Sequence, residues 1–162
     1  MKMKIIAAEA MPDGAFVEEH GIELVNLAAL FERSDYISLH CPLTDETHSM
    51  IDSQALSLMK PGVSIVNTAR GGLIVEADLF HALKAGLISG AGLDVFEQEP
   101  TLEDNPLYEL DNVVLSPHVA GSDYLSRQEM GIEAANCIID LFNGRWPDGA
   151  VVNAELREKW CW

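Results

Sequence analysis

The chain has 162 residues, 48% of them hydrophobic, which is enough apolar material for one substantial core and too little for two full domains. Lys and Arg number 10 against 26 Asp and Glu, and the resulting net charge of −16 repels phosphate backbones and anionic membrane surfaces, which argues against nucleic acid or membrane as a partner. Three scattered cysteines, Cys41, Cys137 and Cys161, make no disulfide framework and fit a reducing compartment; no stretch approaches the ~18 apolar residues of a membrane span, so a cytoplasmic protein is expected.

Short apolar runs at Met3–Ala8, Ile22–Asn26, Tyr36–His40, Val63–Asn67, Gly90–Val95 and Asn112–Ser116, bounded by turn formers, predict buried strands. Amphipathic spacing between them predicts helices over Leu27–Arg33, Ser53–Met59 and Glu76–Ala85, the last stopped at Gly86. Beyond His118, either Ser122 or Asp123 can cap a long helix whose apolar residues Met130, Ile132, Ala135, Ile138, Ile139 and Phe142 lead to Asn143-Gly144. The charged tail ending at Trp162 is expected to be peripheral. Strands alternating with helices give an α/β fold with a parallel sheet and crossovers. No repeat or low-complexity linker marks a second domain boundary.

In an open parallel sheet, ligands gather beyond the carboxyl ends of the strands, so the residues after each apolar run are the place to look. The first such exit is His40-Cys41-Pro42-Leu43-Thr44, where Pro fixes the loop and Thr can cap the next helix, an arrangement common without any ligand. The second, Asn67-Thr68-Ala69-Arg70-Gly71-Gly72, delivers an Arg among small residues that let backbone approach a ligand closely. Its guanidinium is a planar fork matched to a carboxylate. The third runs from Asp94 through Val95, Phe96, Glu97, Gln98 and Glu99 to Pro100, and the fourth, Ser116-Pro117-His118-Val119-Ala120-Gly121, frames a His between Pro and Gly. Each has an ordinary loop explanation singly. Together they make a poor coincidence.

Asn-Thr-Ala-Arg-Gly-Gly, Gly-Leu-Asp-Val-Phe-Glu-Gln-Glu-Pro and Leu-Ser-Pro-His-Val-Ala-Gly-Ser, in this order and at these separations, resemble the signature set of the D-isomer-specific 2-hydroxyacid dehydrogenases, a family that includes phosphoglycerate and glycerate dehydrogenases. The resemblance runs from about Met3 to Asn153. It implies that Arg70 holds the substrate carboxylate and carbonyl, that His118 is the catalytic acid and base, and that Glu99 is the acid partner of His118. A carboxylate beside the imidazole supports its charged form and fixes the ring. Formate dehydrogenases of the same superfamily carry Gln at the Glu99 position, so Glu99 argues against that branch. The resemblance also implies NAD as cofactor, with Glu9 after the strand Met3–Ala8 accepting from the adenosine ribose and disfavouring a 2′-phosphate. Pro42 then lies toward the adenine; Thr68, Ala69, Arg70, Asp94, His118, Ala120 and Gly121 lie toward the nicotinamide.

One departure stands out. The family's nucleotide fold opens with a strand, a glycine-rich turn and a helix, whereas no G-x-G-x-x-G occurs here, and Gly90-Ala91-Gly92 leads into a strand instead of out of one. The expected architecture is therefore a partial Rossmann-like, doubly wound parallel sheet lacking its first strand, Gly-rich turn and first helix, plus a long carboxyl-terminal helix. Residues 1–121 read as a partial NAD-binding domain, 122–153 as a helix and return segment belonging to the family's substrate domain, and 154–162 as a tail. A truncated chain, inactive alone and binding NAD weakly, is the expectation. A small 2-hydroxy or 2-keto acid is the expected substrate of a full-length form, and a homodimer the expected assembly. The alternative is a non-catalytic interaction or dimerisation module derived from the same fold, since fold does not fix function.

Overall fold

The structure, a computed structural model, describes residues 3–160. The elements in chain order are β1 (Ile6–Ala7), α1 (Gly14–His20), β2 (Glu23–Leu24), α2 (Leu27–Arg33), β3 (Tyr36–Leu39), α3 (Ser53–Leu58), β4 (Ser64–Asn67), α4 (Glu76–Lys84), β5 (Gly90–Leu93), β6 (Val113–Leu115) and α5 (Tyr124–Phe142). Short 3-10 turns lie at Gly71–Leu73, Pro106–Glu109 and Ala154–Glu158.

All strand pairs are parallel, in two sheets of order β1-β2 and β3-β4-β5-β6. Consecutive strands pair within each set, but β2 and β3 do not, so among the described strands the two sheets share no ladder. Within β3, β4 and β5 alternate residues turn inward: Ile37 and Leu39, Ile65 and Asn67, Ala91 and Leu93 are buried. They meet Phe31 from α2, Ala55 and Leu56 from α3, and Leu79, Ala82 and Leu83 from α4 in one core.

The four strands are thus buried on one face rather than on both. Ser38, Val66, Gly92 and Val114 stand side by side in register on the other face, and Val66 and Val114 are 40% and 75% exposed. The cause is legible in the strands themselves, because Tyr-Ile-Ser-Leu and Gly-Ala-Gly-Leu alternate a core residue with a polar, small or amphipathic one.

The helix ends follow local chemistry. Asp52 accepts from Ala55 N–H at 2.8 Å to start α3, and Asp78 in the first turn of α4 accepts from Ser53 N–H at 2.8 Å, which ties the two helices together. Gly86 ends α4 with φ +68°, a left-handed geometry that lets its own N–H and that of Leu87 reach the carbonyls of Leu83 and Ala82.

Helix α1 has no counterpart in the hydrophobic pattern. Asp13, accepting from Ala15 and Phe16 N–H, and Gly21 at the other end define it, and no residue of it is buried. Glu23 binds Arg33 at 2.7 Å and Lys4 at 2.6 Å. First the Arg33 and then the Lys4 hydrogen bond push its carboxyl down to about 2.

The chain divides into two compact units, one ending at His118 and one beginning at Val119. In the second, Asp123 and not Ser122 caps α5, accepting from Leu125 and Ser126 N–H. No residue of α5 is buried. The tail packs within its own unit, with Trp160 edge-on to Trp146 at 6.0 Å between ring centroids and Arg157 on Asp148 at 2.8 Å. Among the described residues, no helix is long and apolar enough to cross a membrane.

Candidate active site

Three adjacent strand exits build the site. At the end of β4, the buried Asn67 side chain accepts from Ala69 N–H at 3.0 Å and donates to the Arg70 carbonyl at 2.9 Å, folding the loop around one amide. Arg70 Nη1 donates to the Ala69 carbonyl at 2.6 Å. Gly71 follows, buried, and its backbone lies directly on β5's exit: a Cβ there would sit 1.8 Å from the Phe96 carbonyl oxygen.

At the end of β5, Asp94 is buried and its N–H donates to the Asn67 carbonyl at 3.0 Å. Phe96 N–H donates to Glu99 Oε1 at 2.9 Å. Beyond β6, Ser116 Oγ donates to Asp94 Oδ1 at 2.5 Å and His118 N–H donates to the Asp94 carbonyl at 2.8 Å. His118 Nδ1 and Glu99 Oε2 are 2.7 Å apart. The His118 hydrogen bond, followed by that of Phe96 N–H, holds the Glu99 carboxyl below the usual glutamate range.

Arg70, Glu99 and His118 line a single open cleft of about 310 Å³ together with Gly71, Gly72, Phe96, Glu97, Leu43 and His48. Glu97 is engaged with the start of α4, its Oε1 accepting from Glu76 N–H at 3.2 Å. Asp94 lies beneath this cleft rather than in it, as a buried link between β4, β5 and the His118 loop. Its link to Ser116 carries a measurable load. Ser116→Ala removes one partner of a buried carboxylate and is expected to cost about 1–3 kcal/mol, read as a lower urea midpoint at unchanged m-value.

The remaining residues singled out in the sequence lie elsewhere. Glu9 is exposed just past β1, accepts from Met11 N–H at 3.0 Å and does not line the cleft. Pro42 is exposed and its carbonyl accepts from Thr47 Oγ1 at 2.6 Å. Thr68 is exposed and Ala69 half-buried at the β4 exit. Ala120 and Gly121 belong to the second unit. His40 bonds Ser38 Oγ at 2.8 Å and Cys41 Sγ contacts Met50 Sδ at 3.7 Å, ordinary loop roles.

Thr44 caps no helix. It closes a tight turn, taking His48 N–H on its carbonyl at 2.8 Å and giving its own N–H to Thr47 Oγ1 at 2.8 Å, while Asp52 caps α3. One cleft residue, His48, escaped the sequence reading because backbone pairing across more than twenty residues brings its loop to Gly72, with Ser49 N–H donating to the Gly72 carbonyl at 2.8 Å. Asn67 could have been found: an Asn that ends a strand and precedes a loop commonly bonds backbone two residues on.

A parallel α/β sheet with polar residues gathered at the carboxyl ends of adjacent strands is the ligand-binding arrangement of open α/β folds, the dinucleotide-binding ones among them. The family model for the NAD-binding domain of D-isomer specific 2-hydroxyacid dehydrogenases matches residues 1–120. The chain belongs to this family, whose members are NAD-dependent oxidoreductases. It is 44% identical over 154 residues to a glyoxylate reductase of Korarchaeum cryptofilum, covering 95% of this chain and 46% of the relative. With a D-3-phosphoglycerate dehydrogenase of Archaeoglobus fulgidus it shares 40% identity, over 89% of this chain and 27% of the relative. The crystal structure of a D-lactate dehydrogenase from Aquifex aeolicus, complexed with NAD and lactic acid, matches with a TM-score of 0.80 and 34% identity over 88% of this chain and 47% of that one. The chain spans less than half the length of these relatives.

Proposed function

We propose that the chain carries the proton-transfer and substrate-anchoring side of a D-2-hydroxyacid dehydrogenase, working on a small 2-hydroxy or 2-oxo acid. The observation that carries this reading is the 2.7 Å contact between His118 Nδ1 and Glu99 Oε2 in the same cleft as Arg70. With Nδ1 committed to Glu99, Nε2 is the ring nitrogen that exchanges a proton with the substrate oxygen. Glu99 fixes the ring and stabilises the imidazolium. Arg70 spends one N–H on the Ala69 carbonyl and keeps the rest of its fork for a carboxylate and the neighbouring carbonyl.

NAD(H), when bound, supplies or accepts the hydride. The chain's residues at the strand exits, Thr68, Ala69 and Asp94, suit the nicotinamide end of that cofactor, while Glu9 and Pro42 suit the adenosine side. They fit its pyrophosphate poorly, because the 162 residues contain no G-x-G-x-x-G to present backbone donors at a helix amino terminus. The net charge of −16 adds long-range repulsion of the phosphates. The 162-residue chain is accordingly expected to bind NADH weakly or not at all, and micromolar heats in a calorimetric titration would overturn that.

The catalytic reading is tested in a chimera in which this chain replaces the matching part of the Korarchaeum glyoxylate reductase. NADH-dependent reduction of glyoxylate is expected. A folded chimera without turnover refutes the assignment. A second reading, an interaction or dimerisation module, is favoured by the exposed Met130, Ile132, Ile138, Ile139 and Phe142 of α5. A homodimer fits either reading.

A further inference from the structure

Two non-glycine residues among those described have left-handed backbone: His118 at φ 55°, which lines the cleft, and Ser49 at φ 56°, the neighbour in sequence of the cleft residue His48. Such geometry costs free energy and persists where surrounding structure enforces it, often at functional sites. At His118 it serves the proposed acid and base. At Ser49 it shapes the turn that presents His48.

The position of His48 is well determined. Ser49 N–H donates to the Gly72 carbonyl at 2.8 Å and Ile51 N–H to the Leu73 carbonyl at 3.0 Å, fastening this loop along the segment that follows Arg70. A Cβ on Gly72 would lie 3.1 Å from Leu43 Cδ2 and 3.7 Å from His48 Cδ2, so both side chains lie over that glycine. The ring's Nδ1 is 2.9 Å from Ser49 Oγ. Its Nε2 engages no described residue.

We infer that His48 is a specificity-determining residue of this cleft, selecting 2-hydroxy and 2-oxo acids that carry a hydroxyl on C3. The inference rests on the roles given above to Arg70, Glu99 and His118. Once Arg70 takes the carboxylate and His118 the oxygen on C2, the third substituent of C2 is left with Leu43, Phe96, His48 and Glu97. Glu97 is tied to Glu76 N–H. Leu43 and Phe96 limit size and offer no polar atom, so the polar groups that remain are the second carboxylate oxygen of Glu97, which only accepts, and His48 Nε2, which donates or accepts according to the tautomer. A hydroxyl both donates and accepts, and it therefore satisfies either tautomer of the ring, whereas a methyl satisfies neither and covers Nε2 without compensation.

D-glycerate and D-lactate differ only in that hydroxyl and make the matched probes. They are titrated into the 162-residue chain labelled with ¹³C in its histidine rings, with His48 and His118 signals assigned by substitution. Both acids are expected to move the His118 signal and only glycerate the His48 signal, with glycerate bound roughly 3- to 10-fold more tightly. His48→Leu should bring the two affinities within about twofold, and His48→Gln, which also donates and accepts, should keep part of the preference. If His118 responds while His48 does not, or if the preference survives in His48→Leu, the specificity role is overturned and the catalytic assignment stands. If neither signal moves with either acid, both fall. His48 is exposed, so the variants should keep the parent fold, which a backbone amide spectrum checks directly.

Discussion

Replacing His118 by Ala in the chimera with the Korarchaeum reductase is expected to lower kcat for glyoxylate by about 10²- to 10⁴-fold, the range for loss of a positioned acid and base. The change in KM should be small, because Arg70 and not His118 anchors the carboxylate in the proposed scheme. Glu99→Gln separates the two halves of the pair. It keeps an oxygen near Nδ1 but removes the carboxylate charge beside the ring, so kcat should fall. The depressed Glu99 carboxyl has a consequence for the fold as well. Its contribution is present above the ordinary glutamate value and is lost as pH falls through the lowered one. Wild-type turnover in His118→Ala would remove the proton-transfer role altogether.

Gly71→Ala is expected to be the most damaging single methyl that can be added near the site. The new carbon would meet the Phe96 carbonyl oxygen at 1.8 Å, its carbon at 1.9 Å and Glu97 N at 2.5 Å, all of them backbone atoms without a rotamer to move. The Arg70 loop or the segment after β5 must retreat, at a cost of about 3 kcal/mol or more. Thermal unfolding should show the loss in the 162-residue chain, and in the chimera both kcat and KM should worsen because Arg70 and Glu99 part company. Gly72→Ala is the control: its nearest neighbours are the flexible ends of Leu43 and His48, so it should be tolerated far better. Equal stability of Gly71→Ala and the parent chain would mean that the two exits are not pressed together.

Much of this was legible before any coordinates. Short β-branched runs between turn formers located β3 to β6, and the carboxyl ends of those runs carried Arg70, Glu99 and His118 in an order that already resembled a family. Helices with a periodic apolar face, α2, α3 and α4, were legible for the same reason. Helix α1 was not, because its ends rest on Asp13 and Gly21 while its own residues bury nothing. The one-sided burial of the sheet lay hidden too: Tyr36, Val66 and Val114 look like core by composition and face outward only because of strand register. His48 was beyond reach for a different reason. Its neighbour Ser49 meets Gly72 through backbone hydrogen bonding, which leaves no mark on side-chain pattern.

The short stretch from Asp94 to Phe96 acts as a common datum for the machinery. His118 is hung from the Asp94 carbonyl, Glu99 from the Phe96 N–H, and the Arg70 loop is seated against the Phe96 carbonyl by way of Gly71. Parts located from one reference do not accumulate positional error, whatever the length of chain between them. Fluctuations of β5 therefore carry the acid, its partner and the anchor as a set, and their mutual spacing outlasts movements that would scatter groups fixed to separate supports. Lengthening the loop between Glu99 and Val113 should on this account disturb the spacing of the three groups less than displacing a single backbone atom at Phe96.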